Sequence, residues 1–571
     1  MRLRLLPAYI LCCAALATLS GCFLTDALPN PTKKKGGTNG GTEEPPPKKV
    51  DTLAPKKLPP DRLVRRLALD LSGRLPPAGD VAWLEEDPTR FASLVDAYIA
   101  GADAARSIAA MHGRIWRLSP GDLPDLDDFI DAGDTGLATT LTASMRRRIV
   151  EEPLLHLRYV LETRQPFSKA FSDGFTIMHS DALGLWGLTS GGNPWPGEPF
   201  HFTSYTDGRP AAGIVASNGL LAAFPGRGDV TPRHRTSQLW QALSCVTMEQ
   251  TAAHLFYDLS DAELETDYAT LATQRKPCAG CHGQFEQPAA AFKGLGLATD
   301  FADWSVYQAP SGATDGFYAG QPFDDLSELA GFVGSDPRTH RCEVTRLAST
   351  LFQRPLGRPD AASAAVALNA FNQQGEDLFA ATRSLVLDPE YSFDAVDGSV
   401  KGEIYVKNSS GVRVISAAQW QTLLVDLSPA TADVEIPADL TPGIGELPLT
   451  SDFAIPDSVY WQSLDRVARQ AATAIIATEL ADGTIAATRR VLTEIPDGSG
   501  AKATAANVTK QIKVTWRRLT GSVLADSDPQ LDAFVKLFDK AKAADDSDDG
   551  IRAAWRMMLI AMLTHPSFVT Y

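Results

Sequence analysis

From residue 61 onward, apolar side chains recur every third or fourth position rather than every second, and this period constrains the fold more than any other feature. Leu63, Leu67 and Leu71 fall on one helical face, as do Val344, Leu347 and Leu351. Leu464, Val467, Ala468, Ala471 and Ile475 make a longer stripe, and Trp555, Met558, Leu559 and Met562 another. Such stripes must be buried against other elements, so the expected class is mainly α, a multi-domain helical protein with few short strands. Stripes of this kind carry core and are assigned no chemistry. Ser260-Asp261-Ala262-Glu263 has capping-box spacing and predicts a helix start. Gly/Pro-rich breaks at residues 190–199 and 225–232 separate elements, and residues 404–415 read as a short hairpin.

A chain of 571 residues has room for three or four domains of about 150 residues each. Its formal charge of −16 excludes nucleic acid as an expected partner, because that role needs a basic footprint. The only long apolar run is at the N-terminus, which excludes a polytopic membrane protein. One internal similarity stands out. Arg346-Leu347 leads through Arg354-Pro355-Leu356 to Pro389-Glu390-Tyr391, and Arg518-Leu519 leads through Asp528 to Pro566-Ser567-Phe568. Both read as a helical pair closed by Pro-x-aromatic, which fits duplication and chance equally.

Arg2 and Arg4 precede an apolar run over residues 5–19, the pattern of a secretory signal rather than a membrane span. The run ends in Leu19-Ser20-Gly21-Cys22, which resembles the bacterial lipobox. That resemblance implies cleavage before Cys22 and diacylglycerol on its thiol; an ordinary signal peptide is the alternative. Acyl chains contribute about 0.8 kcal/mol per buried methylene, so two or three of them hold a protein firmly on a membrane. Phe23 stands where inner-membrane retention usually shows Asp, which leans towards the outer membrane. Residues 23–60 read as a tether of Lys, Gly and Pro with almost no large apolar side chain. Its lysines make a basic leash under an acidic body, as suits an anionic membrane surface, though a merely solvated linker fits equally.

Cys278-Ala279-Gly280-Cys281-His282 is a C-x-x-C-H, the attachment sequence for haem c. Thiols three residues apart can each form a thioether with one vinyl edge of a porphyrin, and the adjacent imidazole can then ligate iron as the proximal base. A thioredoxin-like disulfide, half a zinc site and a plain structural disulfide compete, but no βαβ pattern, second C-x-x-C or H-x₃₋₅-H accompanies the motif. Cys12 and Cys13 leave with the signal peptide, and Cys22 would be acylated. Cys245 and Cys342 remain, and in an oxidising compartment a disulfide between them is expected, with two buried free thiols as the alternative.

The sixth iron ligand is open between several readings. No methionine occurs between His282 and Met557, and His340 is the only histidine in residues 283–564. His340 ranks first, an open or water-bound position second, and Met248 third. A pairing of Cys245 with Cys342 would draw His340 and Met248 towards one neighbourhood.

The chain resembles the planctomycete-type cytochrome c-like proteins, exported multi-domain proteins also common in myxobacteria. The resemblance rests first on Arg65-Arg66-Leu67-Ala68-Leu69-Asp70-Leu71-Ser72-Gly73-Arg74-Leu75-Pro76-Pro77, similar to the start of their first domain. Pro277 to Gly296 is similar to their haem domain, which continues through Cys342 to Gln353-Arg354-Pro355-Leu356-Gly357-Arg358. A third module is similar over residues 414–475. After the C-x-x-C-H the family's Asp-Pro-x-Gly-Phe turn is replaced by Gln287-Pro288-Ala289-Ala290 before Phe292. The resemblance implies haem binding and an exported life; it does not imply a substrate.

The expected layout is a signal peptide over 1–21, anchor and tether over 22–60, a helical domain over 61–265, a cytochrome c-like domain over 266–398 and a C-terminal helical domain over 399–571. The functional expectation is a lipid-anchored protein of the cell envelope, in the periplasm or on the outer membrane. It carries one covalent haem c on Cys278, Cys281 and His282 and transfers single electrons with an unidentified, basic redox partner. A haem-dependent redox enzyme acting on peroxide or oxygen is the first alternative. A structural or binding lipoprotein whose C-x-x-C-H forms a disulfide is the second.

Other signals are discounted. Arg227-Gly228-Asp229 sits in a Gly/Pro turn, and the acidic run Asp545-Asp546-Ser547-Asp548-Asp549 lacks the EF-hand glutamate. His112, His156, His179, His201 and His234 are scattered singly and read as structural. There is no nucleotide, zincin or nucleophile-elbow signature.

Overall fold

The computed structural model describes residues 57–118, 143–184, 188, 193–224, 231–246, 287–295, 314, 316–354, 356, 360–393, 414–415, 417–437, 458–481, 483–496 and 504–570. The chain divides into Met1–Leu53 and Ala54–Tyr571, and every described residue belongs to the second unit. That unit is mainly helical, with two small sheets among the described residues.

The first helices are α1 (Pro60–Leu71), α2 (Ala78–Glu86), α3 (Phe91–Ala100), α4 (Asp103–Ile115) and α5 (Ala143–Glu162). Pro60 opens α1, where its missing N–H costs nothing, and Asp61 in the first turn complements the helix dipole. A three-stranded antiparallel sheet follows, ordered β1 (Thr176–His179), β3 (Phe200–Thr203), β2 (Asn193–Pro194), with Ile177 opposite Phe202. Next come α6 (Asn218–Ala223), α7 (Thr231–Ser244), the hairpin β4 (Gly316–Tyr318) and β5 (Gln321–Phe323), α8 (Leu326–Ser335), α9 (Pro337–Phe352), α10 (Ala361–Gln373) and α11 (Leu378–Val386). The last helices are α12 (Ala417–Leu427), α13 (Ser458–Glu479), α14 (Ala505–Thr520), α15 (Pro529–Ala544) and α16 (Asp548–Leu563).

Side-chain caps start many of these helices. Asp325 accepts from the Glu328 amide, Asp336 from Arg338, Asp377 from Phe379, Asp528 from Gln530 and Ser547 from Gly550. The acidic run at 545–549 is therefore the entrance to α16. Mid-helix Pro153 in α5 cannot donate to the Ile149 carbonyl, and α6 packs against that opening. Gly219 is obligatory there, because a Cβ would lie 2.2 Å from the Ile149 oxygen and 2.8 Å from Pro153 Cδ.

Two apolar cores result. One joins Val64, Leu67 and Leu71 of α1 to Trp116, Trp240, Phe292, Leu347, Phe371 and Tyr391. The other gathers Trp420, Tyr460, Leu464, Trp516, Trp555 and Phe568 around Leu69, from the opposite face of α1. The expected boundary at 265/266 falls outside the described residues, and the elements before and after it share the first core. The boundary at 398/399 also lies outside them, and the second core takes its residues from Val414 onward, apart from Leu69. All four stripes named from the sequence lie in these cores, with Leu63 packed at the edge of the first. Of the hairpin expected over 404–415, only Val414 and Ile415 are described; Val414 pairs with Thr570.

The two Pro-x-aromatic segments close their cores in the same manner. Tyr391 and Phe568 are fully buried, one in each core. The residue after each accepts a backbone bond from an extended segment: Ser392 from the Leu58 amide at 2.8 Å, Val569 from the Ile415 amide at 2.9 Å. Each of these extended segments then enters a helix within two residues, α1 in one case and α12 in the other. The helices α9 and α14 that lead into the two segments both end on a left-handed residue, Gln353 and Gly521.

Candidate functional site

Cys278, Cys281, His282, Met248 and the lipidation candidate Cys22 lie outside the described residues, as do the capping-box residues 260–263 and the tripeptide 227–229. The described residues around the haem-motif segment build its two attachment points. Both are on α7.

The first attachment is covalent. Cys245 follows the last residue of α7 in the left-handed region, φ 56°, and bonds to Cys342 on α9 with the Cα atoms 5.4 Å apart. Ser244 and Thr339 share a hydroxyl hydrogen bond of 2.9 Å beside it. Arg346, one turn further along α9, donates to the carbonyls of Ile115 and Gln241 at 2.7 Å each, and to that of Ala242. It thereby satisfies carbonyls that the ends of α4 and α7 leave without helical partners.

The second attachment is at the far end of the segment. Ala290–Phe292 form a 3₁₀ turn whose Phe292 is fully buried. Arg235 of α7 donates to the Leu295 carbonyl at 2.9 Å and to the Phe224 carbonyl at 3.2 Å. Burial lowers the pKa of this guanidinium to about 10.

His340 lies nearly two turns before Arg346 on α9. Its Nε2 is 2.9 Å from the Gly334 carbonyl oxygen and 3.8 Å from Glu376, and its ring meets the edge of Phe371 at 5.1 Å. A metal bound at Nε2 would displace the bond to Gly334. Near the disulfide, Tyr318 donates to Asp336 at 2.6 Å, packs edge-on against Trp240 at 5.4 Å and has Arg338 over its ring. Burial, then the bond to Asp336, raises the Tyr318 phenol above its ordinary range. Burial also resists ionisation of Asp336, but hydrogen bonds from Arg338 and Tyr318 outweigh it and hold the carboxyl below its ordinary value. Sequence reasoning missed this cluster, although Asp336-Pro337 carried a readable signal as an N-cap followed by proline.

Three of the scattered histidines, His112, His156 and His179, have partners. His112 donates from Nδ1 to the Ile108 carbonyl at 2.6 Å and faces Glu343, which also accepts from Trp116 Nε1 at 3.1 Å. His156 pairs with Asp173 at 3.3 Å, and His179 accepts from the Asp181 amide at 3.1 Å. His201 lies on β3 opposite Met178. The side chain of His234 is outside the described residues. Another buried carboxylate, Glu152, accepts from Thr176 at 2.6 Å, from the Gly219 amide at 2.7 Å and from Tyr205. Burial raises its pKa. None of these pairs converges on a metal: among the described residues no three His, Cys, Asp or Glu side chains are placed to hold one. Nor is any described helix long and apolar enough to cross a membrane.

The cysteine donor set fits a covalently attached haem. With Cys245 bound to Cys342, neither is open to Cys278 or Cys281 as a disulfide partner. Comparison with family models, with curated proteins and with solved structures gives no match.

Proposed function

We propose that the chain is a lipid-anchored c-type haem protein of the cell envelope that passes single electrons between envelope partners. Cys278 and Cys281 would hold the haem through thioethers and His282 would ligate its iron, which supplies a one-electron couple when bound. One observation carries the reading: a C-x-x-C-H in a chain whose two other body cysteines are bonded to each other. The two anchor points at α7 support it further, since they tie described residues on both sides of the motif to the first core. The acidic body favours a basic partner and a salt-sensitive association.

A second reading, a haem enzyme with an open sixth position, is favoured by His340. Its Nε2 is engaged by Gly334, and no methionine lies between His282 and Met557. The spectrum of the full chain, matured with a haem-attachment system, tests both. Pigment that survives acid-acetone extraction and is lost in Cys278→Ala and Cys281→Ala supports attachment, whereas an absence of pigment refutes it. A spectral change on adding cyanide or peroxide selects the enzyme reading; an unchanged spectrum selects the electron carrier.

A further inference from the structure

Where the turn after α1 meets the ends of α12 and α14, the surface opens into a groove of about 810 Å³. That volume lies within the range of about 300–1,000 Å³ usual for small-molecule sites. Pro76, Pro77, Leu427 and Val514 give it apolar walls, and Asp426, Arg517 and Arg518 give it charge.

The charges are not equivalent. Asp426 is answered by Arg74 at 2.5 Å, and Arg74 also binds Asp103 at 2.8 Å. Arg518 donates to the carbonyls of Asp426, at 3.0 Å, and Arg490, so its hydrogen bonds neutralise no carboxylate. Arg517 is exposed, and among the described residues its guanidinium makes no hydrogen bond or ion pair. Arg517 thus places beside the apolar walls a guanidinium that no described carboxylate bonds.

We propose that this groove binds a small organic anion. Its flat apolar body lies on Pro76, Pro77 and Val514, and its carboxylate meets Arg517 with Arg518 behind it. Guanidinium recognises carboxylate through paired donors, and proline rings and aliphatic side chains cover an aromatic face without offering competing polar groups. Gly79 supplies an independent handle on the same space. It lines the groove, and a Cβ built there meets no atom within 4 Å, so a larger side chain enters free volume rather than displacing the fold.

Calorimetric titration of 2-naphthoate into the full chain in lipid nanodiscs, with empty nanodiscs as blank, tests the assignment. The expected result is one saturable site, with the uncharged 2-naphthalenemethanol binding about tenfold more weakly or worse. Arg517→Ala weakens 2-naphthoate about tenfold, and Gly79→Leu abolishes binding. Arg469→Ala, which removes an exposed arginine paired with Asp465 on α13, leaves binding unchanged. The proposal is overturned by no saturable binding to the wild type, by equal binding of the acid and the alcohol, or by wild-type binding in both Arg517→Ala and Gly79→Leu.

Discussion

Arg65 and Arg66 are consecutive on α1 and serve opposite cores. Arg65 donates to the carbonyls of Phe568 at 2.7 Å, Thr570 at 3.0 Å and Leu519 at 3.3 Å. Arg66 donates to the Leu351 carbonyl and lies over the Tyr391 ring at 4.3 Å, while Tyr391 donates to Asp70 at 2.9 Å. Leu351 and Leu519 each stand two residues before a left-handed helix cap, so the two arginines bind equivalent positions in the two halves. Helix α1 thus helps fasten the C-terminal core to the first, beside Arg147, which donates to the Ile436 carbonyl, and the Arg74–Asp426 pair.

Removing the Arg65 fork strands three carbonyls, at least two of them buried, and Arg65→Ala should destabilise the fold by about 3 kcal/mol. Arg65→Lys should recover only part of that loss, because an ammonium is a compact donor that does not reproduce the planar fork. Urea denaturation midpoints of the three proteins check this. Equal midpoints for wild type and Arg65→Ala would remove α1 from its fastening role.

The Cys245–Cys342 bond spans 97 residues. Closing a loop of that length restricts the unfolded chain by about 4 to 5 kcal/mol. The double variant Cys245→Ala/Cys342→Ala should lose stability on that scale, and dithiothreitol should then have no further effect on it. Protease nicking between residues 247 and 286 should accelerate, because one of the two anchor points is gone. Peptide mapping by mass spectrometry after limited proteolysis reads this directly.

Asp336 gives a pH signature. Its carboxyl is held below the ordinary 3.8, so its contribution is present above that pH and is lost as pH falls through the lowered folded value. Asp336→Asn should therefore be less stable than wild type at pH 7, and the gap should narrow as pH falls well below the ordinary 3.8. Denaturation midpoints at neutral and strongly acid pH measure the gap, and one that stays constant would assign Asp336 no charged role.

His340 separates a structural imidazole from an iron ligand. With Nε2 on Gly334, His340→Gln should lower stability through the lost contact with Phe371 and leave the haem spectrum unchanged. A displaced Soret band in that variant would make His340 the sixth ligand.

The helical core was readable because its signal is local. Leu464, Val467, Ala468, Ala471 and Ile475 repeat at the helical period, and each is at most 1% exposed. The strands were not, because Thr176–His179 and Phe200–Thr203 are four residues long and depend on each other for pairing. The ties between distant positions were equally hidden. His112 meets Glu343, and Arg65 meets Phe568, through packing that no sequence period encodes. The repeated Pro-x-aromatic ending was visible as a pattern, but its use as a socket beside α1 depends on the divergence of Arg65 and Arg66, which no local pattern encodes. The histidines read as structural because none had a second ligand at metal spacing, and His112, His156 and His179 have ordinary local partners.

Intact-mass measurement of the denatured, matured chain decides whether haem is covalently attached. The expected mass is that of the polypeptide plus one haem that denaturant does not strip, less two hydrogens for the Cys245–Cys342 bond, with haem-free chains for Cys278→Ala/Cys281→Ala. A wild-type chain with no added haem and two further hydrogens missing, from a bond between Cys278 and Cys281, would contradict it.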